Sequence, residues 1–461
     1  MISFSQLDII ILSIFFLLIL TIGFVSSTKI KDTTDYILAG RNLNLFLFVL
    51  VTVSTWYGGI LGVGEFTYRY GLLSWFTQGF PYYLFAFLFA IFFAKKVRQA
   101  SLFTIPDKLY EVYGKKVTIL SAVIVSILVS PAPYLLMTAT LIKEIFQIDF
   151  FLAIIFSFIV SGSYLIKGGF RSNVYVDAFQ FFVMFISFGV AVIICYNSFG
   201  GVEFLTEKLP ESHLKFTGDA SLTYIIVWFL IALWTFADPG FHQRAYAAKN
   251  GNVAKWGIII SIFFWFLFDF LTTTTGLFAR ALLPNLEQPV MAYPLLAENI
   301  LSPGIKGIFY AGLFATIIST LISFLFLSAI TIGRDFFYRI KENITDKELR
   351  FYTSIGVIIS GIISIFISYF IPSVVEIWYT IGSLFIPAII PAIISSYFQK
   401  LKIHSKIMLI EMILALLSGG LWFLIRKDFA HSMFFEIEPM LIGLLSALII
   451  HIYGLIRKFF F

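Results

Sequence analysis

Long apolar runs recur along the whole chain and are separated by short polar segments. A bilayer core about 30 Å thick needs roughly 20 apolar residues per helix, and only helices or closed barrels satisfy the backbone there. The runs are continuous rather than alternating, which excludes a barrel. The pattern predicts an all-α integral membrane protein of about 13 spans. We expect these spans at residues 7–26, 43–64, 71–94, 117–143, 149–166, 174–197, 221–240, 253–281, 305–332, 349–371, 373–398, 406–425 and 438–456.

The composition agrees with a chain that is dissolved in lipid. Of the 461 residues, 59% are apolar and 13% are charged, whereas a soluble domain carries about a quarter charged residues. The net charge of +6 therefore does not indicate a nucleic-acid partner, and we expect none. In a membrane protein, basic residues usually concentrate on one side of the bilayer. The sequence indicates no protein partner. The first apolar stretch lacks a basic leader and a small-residue cleavage site, which predicts a retained helix.

Lys and Arg divide unequally between the two predicted sides of the membrane. With the N-terminus outside and the C-terminus cytoplasmic, the inner side holds 24 of the 32 basic residues. Basic loops are retained in the cytoplasm, so the asymmetry favours this orientation. We expect a multi-pass protein of a plasma membrane, with a bacterial inner membrane favoured.

The domain organisation is predicted to be a single transmembrane unit over residues 1–461. An extra span and loop occupy 1–42, and two extra spans occupy 406–461. The longest polar stretch, about 198–220, is expected to be an outer loop, and no Gly-x4-Gly-Lys-Ser/Thr phosphate loop occurs. Energy must then come from an ion gradient, or the protein is passive.

Two predicted spans contain residues that interrupt helices. The second span of the chain is rich in glycine around Gly58, and the seventh span contains Asp238 followed by Pro239. Transporters bind solute where helices break at mid-membrane, although glycine also serves close helix packing. Two interrupted helices five spans apart favour two five-helix halves, at 43–197 and 221–398, related as an inverted repeat.

Hydroxyl side chains form a stripe on the ninth span. Thr316, Ser319, Thr320 and Ser323 are spaced so that all four lie on one helical face. A surface of hard oxygen ligands suits Na⁺. The alternative is that these hydroxyls bond back to their own backbone, as Ser and Thr in membrane helices usually do.

Four motifs, in order along the chain, resemble the solute:sodium symporter family. They are Asp-Tyr-x-x-Ala-Gly-Arg at 35–41, Gly-Gly with a following Asp-x-x-Gln within 167–180, Gln-Arg with Ala-Ala-Lys at 243–249, and the ninth-span sodium motif at 315–320. The resemblance covers about residues 7 to 456. Members of the family transport proline, pantothenate, sugars, sialic acid, carboxylates and other solutes.

The resemblance implies a LeuT-type fold, which is a five-plus-five inverted repeat with discontinuous helices, and it implies Na⁺ as the coupling ion. The sodium ligands carried over are the carbonyls near Thr52 and Thr55, the carbonyl of Thr316, and the hydroxyls of Ser319 and Thr320.

A second sodium site in some family members uses an aspartate that matches Asp177. Asp177 and Ser323 are present here, but Ile322 replaces a hydroxyl residue that such proteins carry beside the serine. Asp177 and Ser323 favour two coupled ions, whereas Ile322 favours one.

The solute is expected at the broken spans and their neighbours. Asp269 adds an intramembrane carboxylate, which is costly enough to indicate function, although a neutral hydrogen-bonded acid between helices is the alternative. The expected solute-binding residues are Trp56, Tyr57, Trp234, Thr235, Asp238 and Asp269.

These features predict sodium-coupled symport of a small polar organic solute by alternating access. The solute class is an amino acid, a pantothenate-like carboxylate or a sugar. A proton-coupled transporter using Asp238 or Asp269 is the main alternative, and a passive channel or facilitator is another. We expect no enzymatic activity, because none of the five His residues is paired with a second ligand at metal spacing or with a nucleophile motif.

Overall fold

Every regular element in the described part of the chain is a helix. The computed structural model describes residues 2–28, 30–162, 165–337, 345–371, 373–429 and 437–460. The α-helices are α1 (Gln6–Ser27), α2 (Thr33–Leu38), α3 (Leu45–Trp56), α4 (Ile60–Tyr70), α5 (Leu73–Gln78), α6 (Phe80–Phe92), α7 (Ala94–Ala100), α8 (Ile105–Tyr113), α9 (Lys115–Leu128), α10 (Ala132–Phe146), α11 (Phe150–Gly162), α12 (Leu165–Phe199), α13 (Val202–Lys208), α14 (Leu222–Ile231), α15 (Trp234–Ala237), α16 (Pro239–Ala247), α17 (Gly251–Leu282), α18 (Ala292–Ile300), α19 (Ile305–Ile330), α20 (Asp346–Phe370), α21 (Val374–Tyr397), α22 (Ser405–Ile425) and α23 (Pro439–Phe460).

The helices follow the order of the predicted spans but differ from them in some lengths. Within the described ranges, 11 helical segments are long and apolar enough to cross a bilayer, and α3 with α4 makes a twelfth across a bend of 57°. The span expected at 149–166 corresponds to α11, whose 13 residues are short for a bilayer. The all-α class is confirmed, whereas the count of thirteen is not.

The predicted interruptions of the second and seventh spans are present. Helix α3 ends at Trp56 and α4 begins at Ile60. The seventh span, expected at 221–240, instead continues to Ala247 as α14, α15 and α16. The restart has a local cause, because Asp238 caps α16 and Pro239 occupies its first turn, where a missing N–H is tolerated.

Gln243 and Arg244 lie beyond the seventh span expected at 221–240, but the structure places them in α16 and not in a loop, which corrects those bounds. Residues 239–247 are all buried within α16, and Arg244 is only 4% exposed. A run of polar residues after a proline resembles a cytoplasmic loop, but here it turns back into the protein. A short parallel β-bridge between Leu43 and Ala248 connects the end of α16 to the segment just before α3.

Helix α19 is the central element of the fold. Apart from its hydroxyl stripe it is mostly apolar, and its most apolar stretch is entirely buried. A helix of this kind is stable only when protein surrounds it. Helices α12, α1 and α20 pack against it, so the hydroxyl stripe of α19 faces protein rather than lipid.

The first helix caps the central one. The buried Asp8 carboxylate accepts hydrogen bonds from the backbone N–H groups of Gly304 and Gly307, both at 2.8 Å, where α19 begins. The first N–H groups of any helix have no partner within it. Asp8 satisfies two such groups, so α1 stabilises α19 directly.

We predict that Asp8→Ala lowers the thermal unfolding midpoint in detergent, because it removes the cap of a buried helix end, worth about 1–2 kcal/mol. Asp219→Ala, which changes an exposed carboxylate in the segment between α13 and α14, is the matched control. Equal midpoints for the two variants would show that the cap contributes nothing to stability.

Candidate sodium and solute sites

Helix α19 comes unusually close to the break in the second span. A Cβ atom built at Gly58 would lie only 2.1 Å from the Cβ of Thr320. No larger residue fits at position 58 without moving one of the two helices. Gly58 therefore sets the distance between the hydroxyl stripe of α19 and the end of α3.

Five oxygen atoms converge at this contact. The Ser319 hydroxyl donates to the Ser54 carbonyl at 3.0 Å, and the Thr320 hydroxyl donates to the Thr55 carbonyl at 2.6 Å. Both hydroxyl oxygens also lie 3.3 Å from the Thr316 carbonyl. The last carbonyls of a helix have no partner within it, which is why α3 presents two of them here.

This donor set fits Na⁺. It consists only of oxygen atoms, which are the ligands that hard cations prefer, and all five are uncharged. The hydroxyl hydrogens can rotate away when a cation takes their place beside the carbonyls. Four of the predicted ligand residues, Thr55, Thr316, Ser319 and Thr320, meet at this point. The structure places Ser54, rather than Thr52, against Ser319, while the Thr52 hydroxyl is buried without a hydrogen-bond partner.

The residues considered for a second sodium ion are separated by an amide. The Asn173 side chain donates from Nδ2 to Asp177 at 3.1 Å and to the Ser323 hydroxyl at 2.5 Å. The two side-chain oxygens considered for a second ion are therefore both engaged by one N–H donor group. Ile322 is fully buried in the same helix as Ser323 and supplies no oxygen from its side chain.

A protein cation already stands near Asp177. Arg244 donates to the Thr55 hydroxyl oxygen at 2.6 Å, and the same oxygen lies 3.1 Å from the Asp177 carboxylate. All three residues are buried. A buried charge is strongly disfavoured unless an opposite charge or hydrogen bonds compensate it, and Arg244 provides that compensation for Asp177.

A cavity of about 120 Å³ opens beside the broken second span. Trp56, Tyr57, Trp234, Asp238 and Asp269, all expected to bind solute, line it. The sixth expected residue, Thr235, is buried with an unpartnered hydroxyl but is not part of the lining.

The sequence interpretation missed much of the wall of this cavity. Further lining residues are Trp75, Gln78, Tyr82, Tyr134, Trp228, Phe324 and Trp378. The only local signal was Gln78 followed by Gly79, which separates α5 from α6 within the third span. The other aromatic residues resemble ordinary packing residues until the fold brings their helices together.

Asp238 lines this cavity and caps the N-terminus of α16. Its Oδ1 accepts hydrogen bonds from the N–H groups of Gly240 at 2.5 Å and Phe241 at 3.1 Å. Arg244, one turn further along α16, donates to the Gly240 carbonyl at 3.0 Å. The helix N-terminus and a nearby guanidinium therefore compensate the charge of Asp238.

Asp269 lies at the end of a chain of hydrogen bonds. Trp75 donates from its indole nitrogen to the Tyr83 hydroxyl oxygen at 3.2 Å, and Tyr83 donates to the Asp269 carboxylate. The indole can only donate, so the direction of the chain is fixed. Asp269 is thus an acceptor that faces a cavity walled by aromatic rings.

The chain matches a known family over most of its length. The family model for the sodium:solute symporter family matches residues 36–413. The sodium/myo-inositol cotransporter 2 of Oryctolagus cuniculus is 27% identical over 412 residues, covering 78% of this chain and 60% of that protein. The sodium/pantothenate symporter of Haemophilus influenzae is 24% identical over 454 residues, covering 93% of this chain and 92% of that protein. The chain thus spans about 60% of the length of the first of these relatives.

Solved structures show the same fold. A Na⁺-coupled sialic acid symporter in a substrate-bound outward-open state gives a TM-score of 0.82 at 15% identity, covering 100% of this chain and 99% of that one. A nucleobase-cation-symport-1 family transporter gives 0.60 at 12% identity, covering 92% and 94%. These likenesses confirm the LeuT-type fold, and the apolar helices make this a multi-pass membrane protein. The family match over residues 36–413 shows that this chain belongs to the sodium:solute symporter family, as its motifs predicted.

Proposed function

We propose that this protein is a sodium-coupled symporter that carries a small polar organic solute by alternating access. The observation that carries the proposal is that Thr55 belongs to both sites. Its carbonyl accepts from Thr320 in the oxygen cluster, and the residue also lines the cavity. An ion and a solute that share one helix end can each favour the same arrangement of that helix, which is what coupling requires.

The solute class is supported by the size and lining of the cavity and by the relatives. The relatives are named for myo-inositol, pantothenate and choline, and the structural neighbour for sialic acid. All are small polar molecules. A transport role, rather than an enzymatic one, accords with this family membership.

The location and orientation are also proposals. A plasma membrane, and in a bacterium the inner membrane, is where a sodium gradient would drive such a protein. The excess of basic residues on one predicted side supports an outer N-terminus and a cytoplasmic C-terminus. The division into halves at 43–197 and 221–398 accords with the fold and remains a prediction.

A proton-coupled mechanism is the second candidate, because two carboxylates line the cavity. Asp238 is occupied as a helix cap and has Arg244 nearby, so it is poorly placed to exchange a proton with each transport cycle. The oxygen cluster contains no titratable side chain. Asp269 is the cavity carboxylate through which a proton could couple. Sodium coupling is favoured because it gives the oxygen cluster a role, whereas proton coupling does not.

We predict that Ser319→Ala and Thr320→Ala each weaken the thermal stabilisation that NaCl, relative to KCl, gives to the purified protein. Each change removes an oxygen ligand, and stabilisation by a bound ion follows its affinity. Ser328→Ala, a buried hydroxyl further along α19 that bonds to the Ser126 carbonyl, is the matched control. Wild-type sodium stabilisation in both test variants would remove the oxygen cluster from the mechanism.

We predict one sodium ion per chain. Asn173 and Ile322 leave the second set of ligands incomplete, and Arg244 already compensates Asp177. Saturation binding of ²²Na⁺ to purified protein should reach one ion per chain. One ion could support about 500-fold accumulation of a neutral solute, from about 2.3 kcal/mol at 100 mV and about 1.4 kcal/mol for a tenfold gradient. Saturation at two ions per chain would contradict this prediction.

We predict that residue 219 is outside the cell and residue 400 is inside. The single cysteine, Cys195, is buried, so Cys195→Ser gives a background for Asp219→Cys and Lys400→Cys at exposed positions. In intact bacterial spheroplasts, a membrane-impermeant maleimide should label the first variant and should reach the second only after permeabilisation. The opposite labelling pattern would invert the proposed topology.

A further inference from the structure

The charges that line the cavity are unequally compensated. Asp238 has a helix N-terminus and Arg244 beside it. Asp269 has only tyrosine hydroxyls for partners, and among the described residues no Lys, Arg or His acts on it. Only 9% of Asp269 is exposed. An intramembrane carboxylate in this setting is costly unless it takes up a proton or a cation accompanies it during function.

The walls around this carboxylate suit a cation as well. Trp56, Trp75, Tyr82 and Trp378 contribute aromatic rings to the lining. The faces of such rings attract cations, and an organic cation also gains from contact with their apolar surface. Trp75 is fixed by its bond to Tyr83, so an aromatic ring and the carboxylate are held by the same chain of hydrogen bonds.

A neutral solute leaves Asp269 without a compensating charge, and an anionic solute fits this cavity less well still. Two carboxylates repel an anion, and the guanidinium of Arg244 already serves Thr55 and the Gly240 carbonyl. Among the described lining residues, the side-chain N–H groups of Gln78, Trp228 and Trp234 have no hydrogen-bond partner. These nitrogen atoms are buried and neutral, so they cannot neutralise an anionic solute.

We propose that the transported solute is a small organic cation, whose ammonium group binds at Asp269 among the aromatic rings of the cavity. This assignment rests on the proposed transport function and specifies its substrate class. It departs from the carboxylate and sugar classes that the sequence resemblance left open.

The test compares solutes of equal shape and different charge. Purified protein in NaCl is titrated with choline and with 3,3-dimethylbutan-1-ol, its uncharged isostere, and then with ethanolamine, putrescine and pantothenate. Five tryptophans in the lining, at 56, 75, 228, 234 and 378, make indole fluorescence the readout. We expect at least one cation to bind about tenfold or more tightly than any uncharged or anionic compound.

Variants at position 269 identify the group responsible. Asp269→Asn should reduce the affinity for the cation about tenfold or more and leave that for the uncharged isostere unchanged, whereas Asp269→Glu should keep the preference. Asp219→Asn is the control, since it removes an exposed carboxylate outside the cavity. Sodium-dependent thermal stabilisation of each variant verifies that it is folded.

The outcomes separate this assignment from the proposed function. Three results would overturn the proposal of a cationic solute if sodium stabilisation is intact. They are equal binding of choline and its isostere, tighter binding of pantothenate, and no binding of any cation. An unchanged preference for the cation in Asp269→Asn would show that Asp269 does not bind the ammonium group. Absence of sodium stabilisation in the unmodified protein would instead count against the symport function itself. If Asp269→Asn does not fold, the isostere comparison in the unmodified protein still decides the solute class.

Discussion

The close approach of α19 to the break in the second span is the constraint on which the rest of the site depends. Gly58 allows it, because any side chain there would collide with Thr320. The approach places two hydroxyls of a fully buried helix against the free carbonyls at the end of α3. The same break opens the cavity through Thr55, Trp56 and Tyr57. The proposed ion and solute sites are thus two consequences of one interrupted helix.

Electrostatics then decides what each part of this region can hold. Asp177 is compensated by Arg244 through the Thr55 hydroxyl, and Asp238 by the start of α16. Both carboxylates therefore belong to the fixed framework. The oxygen cluster is neutral and can accept a small cation, while Asp269 remains without a cationic partner among the described residues. In a low-dielectric interior, that asymmetry favours a positively charged solute.

The sequence predicted what depends on hydropathy and helical periodicity. The spans, the buried hydroxyl face of α19 and the break at Gly58 all follow from local patterns. The position of Arg244 did not, because a charged residue after a proline resembles a loop and its burial depends on partners distant in sequence. Ser54 was missed because a carbonyl ligand leaves no mark on residue type. Gln78 and Trp378 join the cavity only through packing between distant helices.

The most direct test of this account changes the helix approach and leaves every sodium ligand in place. Gly58→Ala adds one methyl group where the Cβ would lie 2.1 Å from Thr320, whereas Gly189→Ala adds the same group where no atom lies within 4 Å. Equilibrium binding of ²²Na⁺ to the two purified variants is the measurement. The account predicts clearly weaker sodium binding in Gly58→Ala and wild-type affinity in Gly189→Ala. Wild-type affinity in both variants would contradict it.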